Sequence, residues 1–294
     1  MTKAGTNSSI GDVPDEVATE DSLSEIESLE MPDGTWAICD DRTFWLERPT
    51  FLTTSSFSRH LLDPGDAAHA RQLLAAALTA GRASRSSDAN EFVGQRRSLP
   101  RYIYGLAGSY QTTHATPLTM RHAAGRLRAA GNIALAQHCL DVADQETGHD
   151  QLALKDLEAL GVRSAEFVRD VRPCDSLELV ALFRRFADSE SPVSVLGYAY
   201  ALERFALFKT QQTVDAIEAI VPPGTMATRC LRVHSAIGSD AGHVASSVRI
   251  IARLGQSDRI SVVCAAFETA ACMMSPTDYP GDEAAGELIS RYMK

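Results

Sequence analysis

The chain has no run approaching the roughly 18 apolar residues that a membrane-spanning helix requires. Its first segment, MTKAGTNSSIGDVPDEVATEDS, is polar and acidic, the reverse of a signal peptide's layout. Together these absences predict a soluble, cytoplasmic protein with no membrane partner. Cysteine is sparse: Cys39, Cys139, Cys174, Cys230, Cys264 and Cys272 include no CxxC step. That spacing excludes a disulfide framework and fits reduced, mostly buried thiols. Basic residues are in deficit, 28 against 38 acids, and the deficit is local. Residues 1–48 hold twelve acids against Lys3, Arg42 and Arg48, so nearly all of the net charge of −10 sits there. The near-neutral remainder has no basic field for a phosphate backbone, which excludes nucleic acid as a partner. No repeat of fixed period is present, so a solenoid is disfavoured.

What is there is a body of ordinary hydrophobicity, 45% apolar in 294 residues, long enough for a sizeable core. Residues 1–32 are rich in Ser, Thr, Asp and Glu and read as a disordered acidic tail. Residues 33–65 read as an N-terminal arm, with Trp36, Ile38, Phe44, Leu46 and Phe51 at roughly two-residue spacing suited to one or two short strands. From residue 66 to 294 the apolar positions recur at three and four, which predicts an all-α domain. Helices are predicted near 66–81, 88–111, 116–131, 133–160, 175–188, 193–220, 225–254, 257–274 and 283–293. Gly81, Gly131-Asn132, Gly161, Ser191-Pro192, Pro222-Pro223-Gly224 and Pro280-Gly281 act as stop signals, and Pro100 is expected to kink or split the second helix.

Three segments carry the candidate chemistry. In 133–160, Glu146 and His149 form an E-x-x-H step, which on a regular helix puts both side chains on one face. In 193–220, Glu203 is the sole acid between Glu190 and Asp215 and lies among Leu196, Tyr198, Tyr200, Leu202 and Phe205. Such a carboxylate needs either an arginine or a metal as partner. In 225–254, Asp240 and His243 share a face, whereas His234 lies about 600° of rotation and roughly 9 Å of rise before Asp240 on an unbroken helix. His234 joins them only if the helix breaks, and Gly238 and Gly242 mark where it would. The six residues Glu146, His149, Glu203, His234, Asp240 and His243 suit iron or manganese more than zinc, and their number suits two ions with positions open for dioxygen.

The blocks ADQETGHDQLALKDLEALG, GYAYALERFA and LRVHSAIGSDAGHVAS resemble the heme-oxygenase-like non-heme di-iron oxidases and oxygenases, over roughly residues 85–275. The resemblance implies a seven-helix bundle, here with a short N-terminal extension, and a metal site of three histidines and three carboxylates. It further implies two iron ions in the II/III states, dioxygen as co-substrate and manganese as a substitute metal. The implied substrate is a small amino acid or amine, desaturated, cyclised through a C–N bond or oxygenated in natural-product biosynthesis. An external electron donor and a homodimer are compatible with it. The last block departs from the family's H-x-x-x-D-x-x-H spacing, with Ala236 where the first histidine would stand.

Other residues have plainer readings. His114, His122 and His138 read as core or pocket-lining groups, and His60 and His69 as surface groups. Tyr102, Tyr104, Tyr198 and Tyr200 read as core, and Arg184-Arg185 as a solvated face. A carboxylate-bearing substrate would need a cation from among Arg101, Arg121, Arg204, Lys209 and Arg232. The competing functions are a metal-free enzyme of the same fold, thiaminase-like and dependent on an activated cysteine, a heme-binding enzyme, and a helical interaction protein using its acidic tail.

Overall fold

The computed structural model describes residues 27–30, 36–39, 44–47, 67–85, 98–238, 240–274 and 278–294. The side chains of the strands, of residues 240–243 and of several positions in the first helix lie outside that description, His69 included. His60 and residues 1–26 lie outside it altogether.

Three short strands, β1 (Glu27–Glu30), β2 (Trp36–Cys39) and β3 (Phe44–Glu47), form an antiparallel sheet in the order β1-β2-β3. Its register pairs Glu27 with Cys39 and Trp36 with Glu47. β1 falls inside the stretch read as a tail. The sheet packs on α1 (Ala67–Arg85), which in turn lies along α11 (Gln256–Met273). Gly81 allows that approach, because a Cβ there would stand 2.4 Å from Phe267 O.

The longest element is α2 (Leu99–Ala129), and it corrects two expectations. Pro100 does not kink it but opens it, in the first turn, where its missing N–H costs nothing and Ser98 Oγ accepts from Arg101 N at 3.3 Å. The predicted gap between residues 111 and 116 is absent, and the helix runs on through Pro117. Burial on both sides of the proline, at Ala115 and Met120, holds the helix together against the lost bond.

The remaining helices are α3 (Ile133–Glu146), α4 (Asp150–Ala159), α5 (Ser164–Asp170), α6 (Cys174–Asp188), α7 (Val195–Ala206), α8 (Gln211–Glu218), α9 (Arg229–Val233), α10 (Asp240–Ile251) and α12 (Asp282–Ser290). Each of the three long helices predicted over 133–160, 193–220 and 225–254 is therefore two shorter ones. α5 answers to none of the predicted helices.

Two apolar cores share α2. Its C-terminal half (Met120, Ala123, Leu127) packs with α1, α3, α6, α7, α10 and α11 around Phe183, Leu196 and Tyr200. Its N-terminal half (Ile103, Leu106, Ala107) packs with α4, α5, α8, α9 and α12 around Phe167 and Leu157. α3 contributes to the first core and α4 to the second, so the three-residue link between them, 147–149, lies at the seam.

Candidate metal centre

The E-x-x-H step is brought together by a break and not by the regular helix the spacing suggested. α3 ends at Glu146, Gly148 takes φ +91°, and His149 stands at the N-terminal boundary of α4. That positive φ is cheap for glycine and strained for any other residue. The turn sets Glu146 Oε2 2.9 Å from His149 Nδ1.

The third member comes from the other broken helix. α9 ends at Val233, His234 leaves the helical region with φ −96° and ψ 64°, and α10 begins only at Asp240. The interruption demanded by the 234–240 spacing is thus present. Ala236 N donates to Lys209 O at 3.0 Å and Gly238 N to Ser235 O at 2.9 Å, which pins the connecting loop. The His234 ring meets that of His149 edge-on, centroids 5.0 Å apart. One ligand atom each from Glu146, His149 and His234 lie within 4.8 Å of one another, all on half-buried residues.

Glu203, on α7, shares a cavity of about 900 Å³ with Glu146 and His234, and Glu203 Oε2 and His234 Nε2 are both shut off from solvent. Asp240 and His243 are on the first turn of α10, but their side chains lie outside the described residues. The structure therefore brings three of the six predicted ligands together, places a fourth on the lining of the cavity that two of them share, and leaves two without described side-chain positions. The donor set fits a metal, since two imidazoles and a carboxylate are the ligand types that non-heme iron takes while keeping open positions.

The cavity is apolar in its body, with Leu179, Phe183, Leu202 and Phe205 on its wall, and Arg101, Lys209 and Arg82 supply cations. Of the other candidate cations, Arg121 binds Asp144 and Thr147, and Arg232 binds Glu218. His114 pairs with Asp150 at 2.8 Å and His122 with Asp188 at 2.7 Å, both on exposed faces away from the cavity wall. Tyr102, Tyr104 and Tyr198 do line the cavity, while Tyr200 is in the first core.

Two residues were not singled out from sequence. Asp156 is fully buried, and its carboxylate accepts from the backbone N–H of Cys230 at 2.9 Å and of Arg229 at 3.1 Å, and from Arg229 Nη1 at 3.1 Å. Burial raises its pKa, an effect that those hydrogen bonds oppose. The signal in sequence was the DLEALG ending of the first block, of which Asp156 is the first residue. Cys230 also lines the cavity, with Asp156, Tyr102 and Ser109 around it. Sequence neighbours offer Cys230 no acid or tyrosine, and the fold supplies both. Desolvation nevertheless pushes the Cys230 thiol up to about 11.

No protein-family model matches the chain, and no curated protein matches it. Among solved structures, it is similar to a domain of unknown function with a heme oxygenase-like fold from Shewanella denitrificans OS217, at 18% identity and a TM-score of 0.53, covering 76% of this chain and 91% of that one. It is also similar to a TenA homolog from Pseudomonas syringae pv. tomato DC3000, at 11% identity and a TM-score of 0.53, covering 73% of this chain and 94% of that one. Among the described residues, no helix is long and apolar enough to cross a membrane. At these identities the likeness speaks to architecture, and it gives the chain a heme-oxygenase-like fold.

Proposed function

We propose that this chain is a non-heme di-iron enzyme that uses dioxygen to oxidise a small substrate, an amino acid or amine, in natural-product biosynthesis. The observation that carries the reading is the convergence of Glu146, His149 and His234, whose ligand atoms lie within 4.8 Å of one another, two of the three (Glu146 and His234) on the lining of the cavity. Two chain breaks make it: the turn at the end of α3, with its positive φ at Gly148, and the interruption after Val233. Glu146, His149 and His234 would hold one ion, and Glu203 with Asp240 and His243 the second. When bound, such a pair supplies the activation of dioxygen for hydrogen removal or oxygen transfer, with manganese as a substitute ion and an external donor for electrons.

The chain's own contribution is placement and exclusion. Glu146 accepts a hydrogen bond from His149, which orients that imidazole ahead of metal binding. Leu179, Phe183, Leu202 and Phe205 give the cavity an apolar lining, and an apolar surround strengthens charge interactions within it. Arg101, held 4.0 Å over the Tyr279 ring, and Lys209 are the cations on the wall that could take a substrate carboxylate.

One observation favours a second reading, a metal-free thiaminase-like enzyme: Cys230 lines the cavity beside Asp156 and Tyr102. Its chemistry is unfavourable. Nucleophilic cysteine needs thiolate character, and burial holds this thiol protonated at neutral pH. Asp156 cannot serve as its base while its oxygens are engaged by Arg229 and Cys230 N–H groups.

The test is anaerobic reconstitution of the full chain with ferrous iron, followed by dioxygen. Retention of about two iron ions per chain and an optical change on adding oxygen are expected. Retention below about one ion, with no optical change, refutes the proposal.

A further inference from the structure

We propose that Asp156 is a positioning residue for the metal centre, holding His234 in place against His149. The inference rests on the metal-binding reading above.

The helix α9 that delivers His234 has five residues, too short to be stable through its own hydrogen bonds. Its first N–H groups have no partner within the helix and must find one elsewhere. Arg229 N and Cys230 N find it in the two carboxylate oxygens of Asp156, Oδ1 and Oδ2 respectively. Tyr102 Oη donates to Ala227 O at 2.6 Å two residues before the helix, and Glu218 accepts from Arg232 and Thr228 on its outer side. Of the side chains that brace the helix Asp156 alone is fully buried, and among the described residues it is the one buried acid. A carboxylate is placed there at a high desolvation cost, which only its three hydrogen bonds offset.

The other end of the connection is His149. Asp156 lies seven residues along from it, which on α4 is close to two full turns, so both occupy one face about 10 Å apart. α4 therefore bears a ligand at its start and, two turns later, the acceptor that anchors the helix carrying the facing ligand. His149 and His234 are more than 80 residues apart in sequence, and α4 and α9 with Asp156 between them form the rigid link that sets their rings 5.0 Å apart.

The test compares the full-length wild type with Asp156→Asn and Asp156→Ala, and with Glu158→Gln as a control on the same helix whose partner is Ser164. Asn keeps one acceptor oxygen, so it releases either the Cys230 N–H or the Arg229 N–H together with its guanidinium, and it removes the negative charge in both cases, while leaving the volume unchanged. Ferrous iron alone is titrated anaerobically, with far-UV circular dichroism confirming the fold. The expected result is iron binding at least about 10-fold weaker in Asp156→Asn, weaker still in Asp156→Ala, and unchanged in Glu158→Gln. Folded Asp156 variants that bind iron as the wild type does would overturn the inference. Should both variants fail to fold, amide exchange in the wild type decides. If the link is real, adding ferrous iron slows exchange at Arg229 and Cys230, because coupling between two sites is reciprocal. Unchanged exchange there in iron-loaded protein overturns it. A wild type that binds no iron instead sinks the metal-binding reading itself, and the positioning role with it.

Discussion

Gly238 is the sharpest point at which to test the broken helix. A Cβ built on it would lie 2.0 Å from Val233 O and 2.8 Å from both Arg232 O and Val233 C. These are backbone atoms of α9's last turn, which cannot swing aside as a side chain would. A carbon needs roughly 3.3 Å from a carbonyl oxygen, so Gly238→Ala forces a separation of more than about 1 Å. The Val233 carbonyl belongs to the peptide that leads into His234. If the structure holds and bears the clash, the cost is that of overpacking, about 1–3 kcal/mol, which for a domain of this size lowers Tm by roughly 2–4 °C per kcal/mol. If the loop yields instead, stability is spared and His234 moves by more than the roughly 0.5 Å that a metal site tolerates. In that second case ferrous iron affinity should fall by about 10-fold or more. Gly255→Ala is the control, because its Cβ meets nothing within 4 Å and its φ of −62° suits alanine. Anaerobic iron titration and thermal melts of both variants are the assay. Gly238→Ala protein with the wild type's iron affinity and Tm would show that the 234–238 loop is not held as described, and that His234 owes nothing to it.

Much of this arrangement is legible in the amino-acid sequence, for identifiable reasons. Helical content from residue 66 onward follows from apolar periodicity, a local property. The break near His234 follows from geometry once His234 and Asp240 are taken to serve one centre, since a straight helix turns that imidazole away from Asp240. Other features depend on partners distant in sequence. Pro117 resembles a stop signal, and only the packing of Ala115 and Met120 against neighbouring helices overrides it. The step from Glu146 to His149 is legible as a pair, but by the wrong route. A regular helix would also bring the two together, and Gly148 is the local sign that the chain turns there instead. Asp156 is hidden for another reason: its partners are backbone N–H groups 73 and 74 residues downstream, and no side-chain pattern encodes them. Cys230 shows the same limit, because its acidic and aromatic neighbours come from α4 and α2.

Two further predictions separate the architecture from the chemistry. Gly197 sits where α7 crosses α11, and a Cβ there would lie 2.0 Å from Val262 O and 2.9 Å from Ala266 N. Gly197→Ala should therefore destabilise the bundle by about 1–3 kcal/mol, read as a lowered melting temperature with no selective loss of iron from protein that remains folded. Cys230 tests the metal-free alternative. Because desolvation raises its pKa to about 11, fewer than about one thiol in a hundred is ionised at pH 8 or below. Iodoacetamide reacts with the thiolate, so native protein at about pH 8 should show Cys230 unmodified by peptide mass mapping while denatured protein is alkylated fully. Access is a second barrier, and the two are separable by pH. If protonation limits the reaction, the rate rises about tenfold per pH unit up to the region of pH 11. If access alone limits it, the rate is flat. Rapid alkylation at neutral pH, or a rate that levels off near pH 7, would mean a stabilised thiolate on the cavity wall. Cysteine chemistry would then replace the metal as the better account of this site.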